Sequence, residues 1–223
     1  MSDPLRHWTP RPRPLPRVLE GRYARLEPLG AQHAADLYAA SSPPDAAERF
    51  RYLLEGAPAD LGAMHAWIET VRTGTDPLYF AVIDRATGRC EGRQALMRVT
   101  PEHGVLEIGA IYWGAAIART RVATEAQYLS ARHVFDDLGY RRYEWKCHDA
   151  NRASKRAALR FGFRYEGLFR QHMVVRGESR DTAWFSIIDG EWPRLRTAYE
   201  AWLDPANFDA AGRQRHGLGE YTR

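Results

Sequence analysis

The 223-residue chain carries 32 Lys and Arg against 28 Asp and Glu, a formal charge of +4, with 44% hydrophobic and 12% aromatic residues. This is the composition of an ordinary folded protein, long enough to bury a core without disulfide or metal staples, and it excludes a chain disordered throughout. Cys90 and Cys147 are too few for a disulfide framework and lack metal-ligand spacing, so no metal is expected.

The first sixteen residues hold five prolines, together with Arg6, Arg11 and Arg13, before any hydrophobic period begins. Residues 1–17 are therefore expected to form an extended arm ahead of a domain over 18–190, with 191–223 as a C-terminal helix and loosely held tail packing on the domain or on a second subunit. No signal-peptide core and no run of about 18 apolar residues occurs, which points to a cytoplasmic protein without a membrane partner. The pI near 9.2 favours anionic partners, yet the arginines interleave with acids, so ribosome or nucleic-acid contact through the arm ranks only as an accessory property.

Alternation from Arg22 to Leu29 predicts a first strand, and Ala31 to Ala40 a helix. Asp60 is a plausible N-cap for a second helix in which Leu61, Met64, Ile68 and Val71 share one face, ending near Gly74. The period then changes. Leu78–Ile83, Arg93–Val99 and Val105–Trp113 read as three antiparallel strands, the third with Glu107 as its single carboxylate. Thr124 to Leu138 is helical and stopped by Gly139; Tyr140 to Cys147 is a strand; Asn151 to Phe161 is a helix stopped by Gly162. Such a run implies a right-handed crossover and a parallel strand pair. Phe163–Val175 and Thr182–Ile188 add two strands, and Pro193 opens a final helix with Trp192, Leu195, Tyr199 and Trp202 on one face. The fold class is α+β, a mixed sheet of about seven mostly antiparallel strands with a central splayed parallel pair and helices on both faces.

Where Glu107–Trp113 and Tyr140–Cys147 part, the sheet opens a crevice, and the helix starting near Ala123 aims its unpaired N–H groups at it. The simplest guest is a pyrophosphate. Arg119 and Arg121 either add charge-assisted bonds to that guest or are solvated loop arginines. Cys147 and His148 end the second crevice strand, but neighbouring strand residues face opposite ways, so a nucleophilic Cys–His pair is not expected.

Three stretches resemble the GCN5-related N-acetyltransferases (GNAT), and within them the RimJ/RimL-like branch that acetylates ribosomal-protein N-termini. Glu107-Ile108-Gly109-Ala110-Ile111-Tyr112-Trp113 is similar to the branch's central strand. Arg119-Thr120-Arg121-Val122-Ala123-Thr124-Glu125-Ala126 resembles its pyrophosphate loop and helix start. Asn151-Arg152-Ala153-Ser154, through Leu159-Arg160-Phe161-Gly162-Phe163-Arg164-Tyr165-Glu166-Gly167, resembles its Asn-x-x-Ser and Gly-Phe-x-x-Glu-Gly segment. The likeness spans about residues 19–188.

The resemblance implies acetyl transfer from acetyl-CoA to a primary amine by direct attack, the amine belonging to a protein N-terminus, an amino acid or a small molecule. It implies a pantetheine arm paired near Ile111 and Trp113, phosphates held by Arg119, Thr120, Arg121, Val122, Ala123 and Thr124, and Asn151 and Ser154 at the other wall. Glu107 is the candidate general base, against the alternative of a solvent-facing or Arg-paired carboxylate. Ser154 is the candidate donor to the departing thiolate, against a first-turn serine bonded only to backbone. Asn151 serves equally as the N-cap of its own helix. Trp8, Trp67 and Trp113 are either core or an aromatic acceptor wall. The family loop, Q/R-x-x-G-x-G/A, is broken here: Ala118 holds the first position and Arg121 the place of the first glycine. An inactive or weak CoA-binding module of the same fold is therefore the alternative function. Acceptor choice is expected to lie in Ala31–Gly74 and Arg170–Arg180, and a homodimer is a modest expectation.

Overall fold

The computed structural model describes residues 5–221; residues 1–4 of the expected arm and residues 222 and 223 of the expected tail lie outside the described residues. In chain order the elements are β1 (Leu19–Glu20), β2 (Ala24–Pro28), α1 (Ala34–Ser41), α2 (Ala46–Phe50), α3 (Leu61–Val71), β3 (Leu78–Asp84), β4 (Cys90–Thr100), β5 (Val105–Trp113), α4 (Arg121–Arg132), β6 (Arg142–His148), α5 (Arg152–Arg160), β7 (Arg164–Val175), β8 (Glu178–Ile188), α6 (Trp192–Leu203) and α7 (Leu218–Tyr221).

One sheet of eight strands runs β1-β2-β3-β4-β5-β6-β8-β7. Every neighbouring pair is antiparallel except β5 and β6, which are parallel and joined through α4. The eighth strand beyond the expected seven is the two-residue β1, too short to show a period. α2 was also illegible, since five residues give barely one turn of pattern.

Alternation assigns the faces. On β6, Tyr143, Trp145 and Cys147 are buried and Arg142, Glu144, Lys146 and His148 point the other way. The first set joins Leu106, Ile108, Ala126, Phe161, Trp192 and Tyr199 in the larger core, beneath α4, α5 and α6. A smaller core on the opposite face packs Leu37, Met64 and Ile68 of α1 and α3 on Ala81, Ile83 and Cys90. Asp60 caps α3 as its sequence suggests, its Oδ1 accepting from Ala63 N at 2.7 Å.

Three boundaries of α4 and β8 differ from expectation. α4 starts at Arg121, three residues before Thr124, because the N-cap is Thr120, whose Oγ1 accepts from Val122 N at 3.1 Å. Its expected continuation to Leu138 is loosened into a π-type turn over His133–Asp137. β8 also begins earlier than Thr182, at Glu178, across a tight turn from Val175.

The tail is not loosely held as far as residue 221. Asn207 Nδ2 donates to the carbonyls of Trp202 (3.0 Å) and His216 (3.2 Å), Trp202 Nε1 donates to Gln214 Oε1 (3.1 Å), and Leu218 is fully buried. A buried amide satisfying two backbone carbonyls is a long-range device with no local signature. At the other end, Trp8 Nε1 donates to Glu102 O (2.8 Å) and Tyr140 Oη donates to Pro12 O (3.1 Å), so residues 8–12 lie against the loop after β4 and the segment leading into β6. Among the described residues no helix is long and apolar enough to cross a membrane.

Candidate active site

The crevice begins at one rung. β5 and β6 pair at Val105↔Arg142, Leu106↔Tyr143 and Glu107↔Glu144 and then separate, while β4 continues to pair β5 as far as Gly92↔Trp113. From Ile108 onward the β6-facing edge of β5 therefore has no strand partner. A bulge lies within this stretch: Arg93 pairs Tyr112 and Ala95 pairs Gly109, so Ala110 and Ile111 face a single β4 residue, and Ala110 adopts φ 48°. Arg93, itself buried, donates from Nη1 to Ala110 O at 2.7 Å, stacks on Trp67 at 4.4 Å and bonds Glu55 through Nη2. The bulged carbonyl is thus held toward the α3 face. Ile111 and Trp113 are half-buried at the open edge, and Trp113 Nε1 donates to Gln94 Oε1 (3.2 Å).

Glu107 stands at the last paired rung, 2% exposed, on the face of β5 opposite Leu106 and Ile108. Its Oε2 lies 3.1 Å from Lys146 Nζ and 3.3 Å from Arg98 Nε. Burial pushes its carboxyl from an ordinary 4.5 up to about 7; Lys146 and Arg98 pull against this and the Glu144 charge adds to it. The solvent-facing alternative is thereby excluded, and the carboxylate is paired yet sits in the working range of a base.

At the other wall Asn151 caps α5, its Oδ1 accepting from Ser154 N at 3.0 Å. Ser154 Oγ accepts from Trp145 Nε1 at 3.0 Å, a side-chain bond and not the backbone bond of a plain first-turn serine. Because Trp145 belongs to the larger core, Ser154 and Glu107 lie on opposite faces of the sheet beside the same gap. Cys147 is buried, and that burial raises its thiol pKa, whereas His148 is on the opposite face. Neither geometry nor acidity favours a nucleophilic pair.

Beyond β5, Gly114–Thr120 turns into α4. The Val122 amide is taken by Thr120 Oγ1 and that of Thr124 by Thr120 O (3.2 Å), so the first-turn donors without an intrahelical acceptor are those of Arg121 and Ala123. Val122, Ala123 and Thr124 are buried; of their amides only that of Ala123 lacks an acceptor in the helix, and the Thr124 hydroxyl donates to Thr120 O. Arg121 is an ordinary first helical residue; the left-handed position is Arg119, φ 64° and exposed. Replacing the family glycine by Arg121 therefore imposes no backbone strain. The Arg121 side chain does not hang over the loop: its guanidinium stacks on Tyr23 at 4.5 Å and Phe208 at 5.4 Å. Arg160, which the sequence offered only as part of a motif, brings Nη1 to 3.1 Å from Thr124 Oγ1 and lies over Trp202 at 5.0 Å.

A cavity of about 900 Å³ opens between the end of β6 and the β7–β8 hairpin, lined by residues that include His148, Asp149, Arg170, Gln171 and Asp181. Of the expected acceptor segments, Arg170–Arg180 reaches it directly. The segment Ala31–Gly74 approaches through Tyr52, whose ring is 5.2 Å from that of His148, while Arg176 Nη2 donates to Leu53 O (3.2 Å) and ties the hairpin tip to the same loop. Trp67 and Trp8 are occupied by Arg93 and by the loop after β4, leaving Trp113 as the one expected tryptophan at the crevice.

Residues 24–164 match the acetyltransferase (GNAT) domain family. A crystal structure of a GCN5-related N-acetyltransferase from Brucella melitensis is 58% identical, with a TM-score of 0.96 over 98% of this chain and 99% of that one. A GNAT-family protein from Chromobacterium violaceum ATCC 12472 is 34% identical, with a TM-score of 0.79 over 86% of this chain and 96% of that one. The Microcin C7 self immunity acetyltransferase MccE, solved with acetyl-CoA and AMP, shares the fold at 19% identity and a TM-score of 0.66, over 75% of this chain and 93% of that one. No protein of curated function matches the chain in sequence. With the split strand pair, the bulged edge and the capped helix already in place, these matches establish that the chain belongs to the GNAT acetyltransferase family.

Proposed function

We propose that the protein is an acetyl-CoA-dependent N-acetyltransferase of the RimJ/RimL-like kind, moving an acetyl group to a primary amine by direct attack. The observation that carries this reading is Glu107: a buried carboxyl raised to about 7, at the rung where the parallel strands part. The unpartnered edge at Ile111 and Trp113 suits an amide-bearing arm laid along it, and the Arg121 and Ala123 amides suit a phosphate at the helix start. Arg119 is the exposed cation of that loop. Bound there, acetyl-CoA supplies the acyl group as an activated thioester.

The protein's own groups then divide the proton traffic between the two faces of the sheet. Amines are protonated in water, so Glu107 removes a proton from the amine arriving on the α1–α3 side, while Lys146 and Arg98 keep its carboxylate accessible near neutral pH. On the other side the Ser154 hydroxyl, fixed by the Trp145 indole, hydrogen-bonds the leaving sulfur, which takes up the second proton that the amine nitrogen sheds as the amide forms.

The test is incubation with acetyl-CoA and a panel of amines and peptides, read as release of free thiol, beside calorimetric titration with CoA. Thiol release dependent on an amine supports the reading. CoA binding with no turnover of any amine would leave the inactive module, and absence of both would remove the cofactor as well.

A further inference from the structure

On the Glu107 face of the sheet, positive charge exceeds what the protein itself neutralises. Arg98, Lys146 and Arg180 all reach this face. Arg98 and Lys146 share the single buried carboxylate of Glu107 and lie over the Trp184 ring at 5.4 and 5.2 Å. Glu144 and Glu166, the nearest other acids on β6 and β7, are both engaged by Arg142, at 2.7 and 2.5 Å. Arg180 has no such partner. It is 8% exposed, its Nε is sealed from solvent without an acceptor, and among the described residues no ion pair or hydrogen bond holds its guanidinium. Trp184, four residues along the same face of β8, likewise buries an Nε1 donor with no acceptor.

Two buried donors without acceptors, one of them a cation, are a costly arrangement when they fall four residues apart on one face of a strand. Their surroundings are built and are not a frayed edge. Arg180 pairs Met173 across the β7–β8 ladder, Trp184 pairs Lys146 across β6–β8, and His172 bonds Thr182 Oγ1 at 3.0 Å with its ring 6.0 Å from Trp184. Arg98 sits at a bulge, φ 52°, where the Asp76 carboxylate accepts from its amide at 2.6 Å. Arg180 and Trp184 flank Thr182 on one face of β8, and Arg98 and Lys146 lie over the same Trp184 ring, so the three cations border one stretch of that face.

We propose that the acceptor is a small amine that also carries an oxyanion, a carboxylate or a phosphate, and that Arg180 holds this group while Glu107 faces the amine. This rests on the transferase reading and narrows its substrate. A guanidinium fork on a β-strand is rigid and suits a two-oxygen group, and the surplus of positive charge disfavours a second ammonium such as a lysine side chain.

The full chain, saturated with acetyl-CoA, should be assayed with L-amino acids each paired with its carboxamide, and with O-phosphoethanolamine beside ethanolamine. We expect at least one anionic member to exceed its neutral partner by about 10- to 100-fold in kcat/KM, the worth of a charged hydrogen bond. Which pair responds distinguishes carboxylate from phosphate. Arg180→Met should abolish the preference mainly through KM for the anion, and Arg180→Lys should restore part of it, with CoA binding retained as evidence of folding. Calorimetry of the same pairs on CoA-loaded protein reads the anion site without turnover. Anion-selective binding without acetylation would keep the site and overturn the transferase. Acetylation without any acid-over-amide preference, or equal losses for both members in Arg180→Met, would overturn the proposal. So would absence of anion-selective binding and turnover together.

Discussion

Replacing Glu107 by glutamine removes one charge and keeps the shape, and the consequences can be worked from the site. With the carboxyl raised to about 7, about half of it is ionised at pH 7, about a tenth at pH 6 and about nine tenths at pH 8. As the base, it should impose on kcat/KM an acid limb falling about tenfold per pH unit below 7. The amine's own ionisation adds a second limb at higher pH, so one profile cannot separate the two. Comparison with Glu107→Gln does: the variant should lose about 100- to 10,000-fold in kcat/KM and lose the limb near pH 7 while keeping the amine's.

Stability provides an independent reading of the same group. The folded carboxyl binds its proton more tightly than the unfolded one, whose ordinary value is 4.5. The native state is therefore favoured below about pH 4.5, and that advantage declines as pH rises to about 7, by about 3 kcal/mol in all. Urea unfolding of the parent should show this decline between pH 5 and pH 8, against the background of other groups, and Glu107→Gln should lack it. A variant that binds CoA, stays within about threefold of parental kcat/KM and keeps the limb near pH 7 would refute Glu107 as the base.

Other residues test how the site is supported. Glu125, buried in α4, accepts from the amides of Arg22 (2.9 Å), Tyr23 (2.5 Å) and Ala24 (2.6 Å), so Glu125→Gln, which offers a donor where three donors converge, should cost about 2–4 kcal/mol in urea unfolding. Arg121→Ala should cost about 1 kcal/mol through lost stacking on Tyr23 and Phe208 and change the CoA dissociation constant by less than about threefold; a tenfold or larger weakening would make Arg121 a phosphate ligand. Thr120→Ala should lower stability by about 1 kcal/mol, read by thermal unfolding, because it uncaps α4 at the Val122 amide.

What could be read in advance, and what could not, divides along the range of the interactions. Val105–Trp113 is bounded in the sequence as in the structure, and Asp60 and Asn151 cap their helices, because period and caps are decided within a turn or a strand. Glu107 was conspicuous as the one acid in an apolar strand. Its partners were not. Lys146 lies beside it only through the parallel register Glu107↔Glu144, and Arg98 only through a bulge held by Asp76, neither of which leaves a local pattern. Glu125 reads as an unremarkable helix acid until the β1–β2 turn brings three amides to it. Arg121 shows the converse error: a residue judged by the glycine it replaces, when an ordinary helical start demands none.

The same division explains why the family is easier to read than the substrate. The cofactor side, as proposed, is built from backbone: a bulge, an unpaired strand edge and the first amides of α4, whose requirements sequence motifs record. The acceptor side, as proposed, draws on side chains of β4, β5, β6 and β8, and its net charge exists only after the strands are ordered as β4-β5-β6-β8. Had β7 and not β8 lain beside β6, as simple succession along the chain would place it, Arg180 and Trp184 would be one strand farther from Glu107. The hairpin order therefore puts Arg180 on the strand next to β6, within electrostatic reach of Glu107, and on the proposed reading an acceptor with a second positive charge would enter against it.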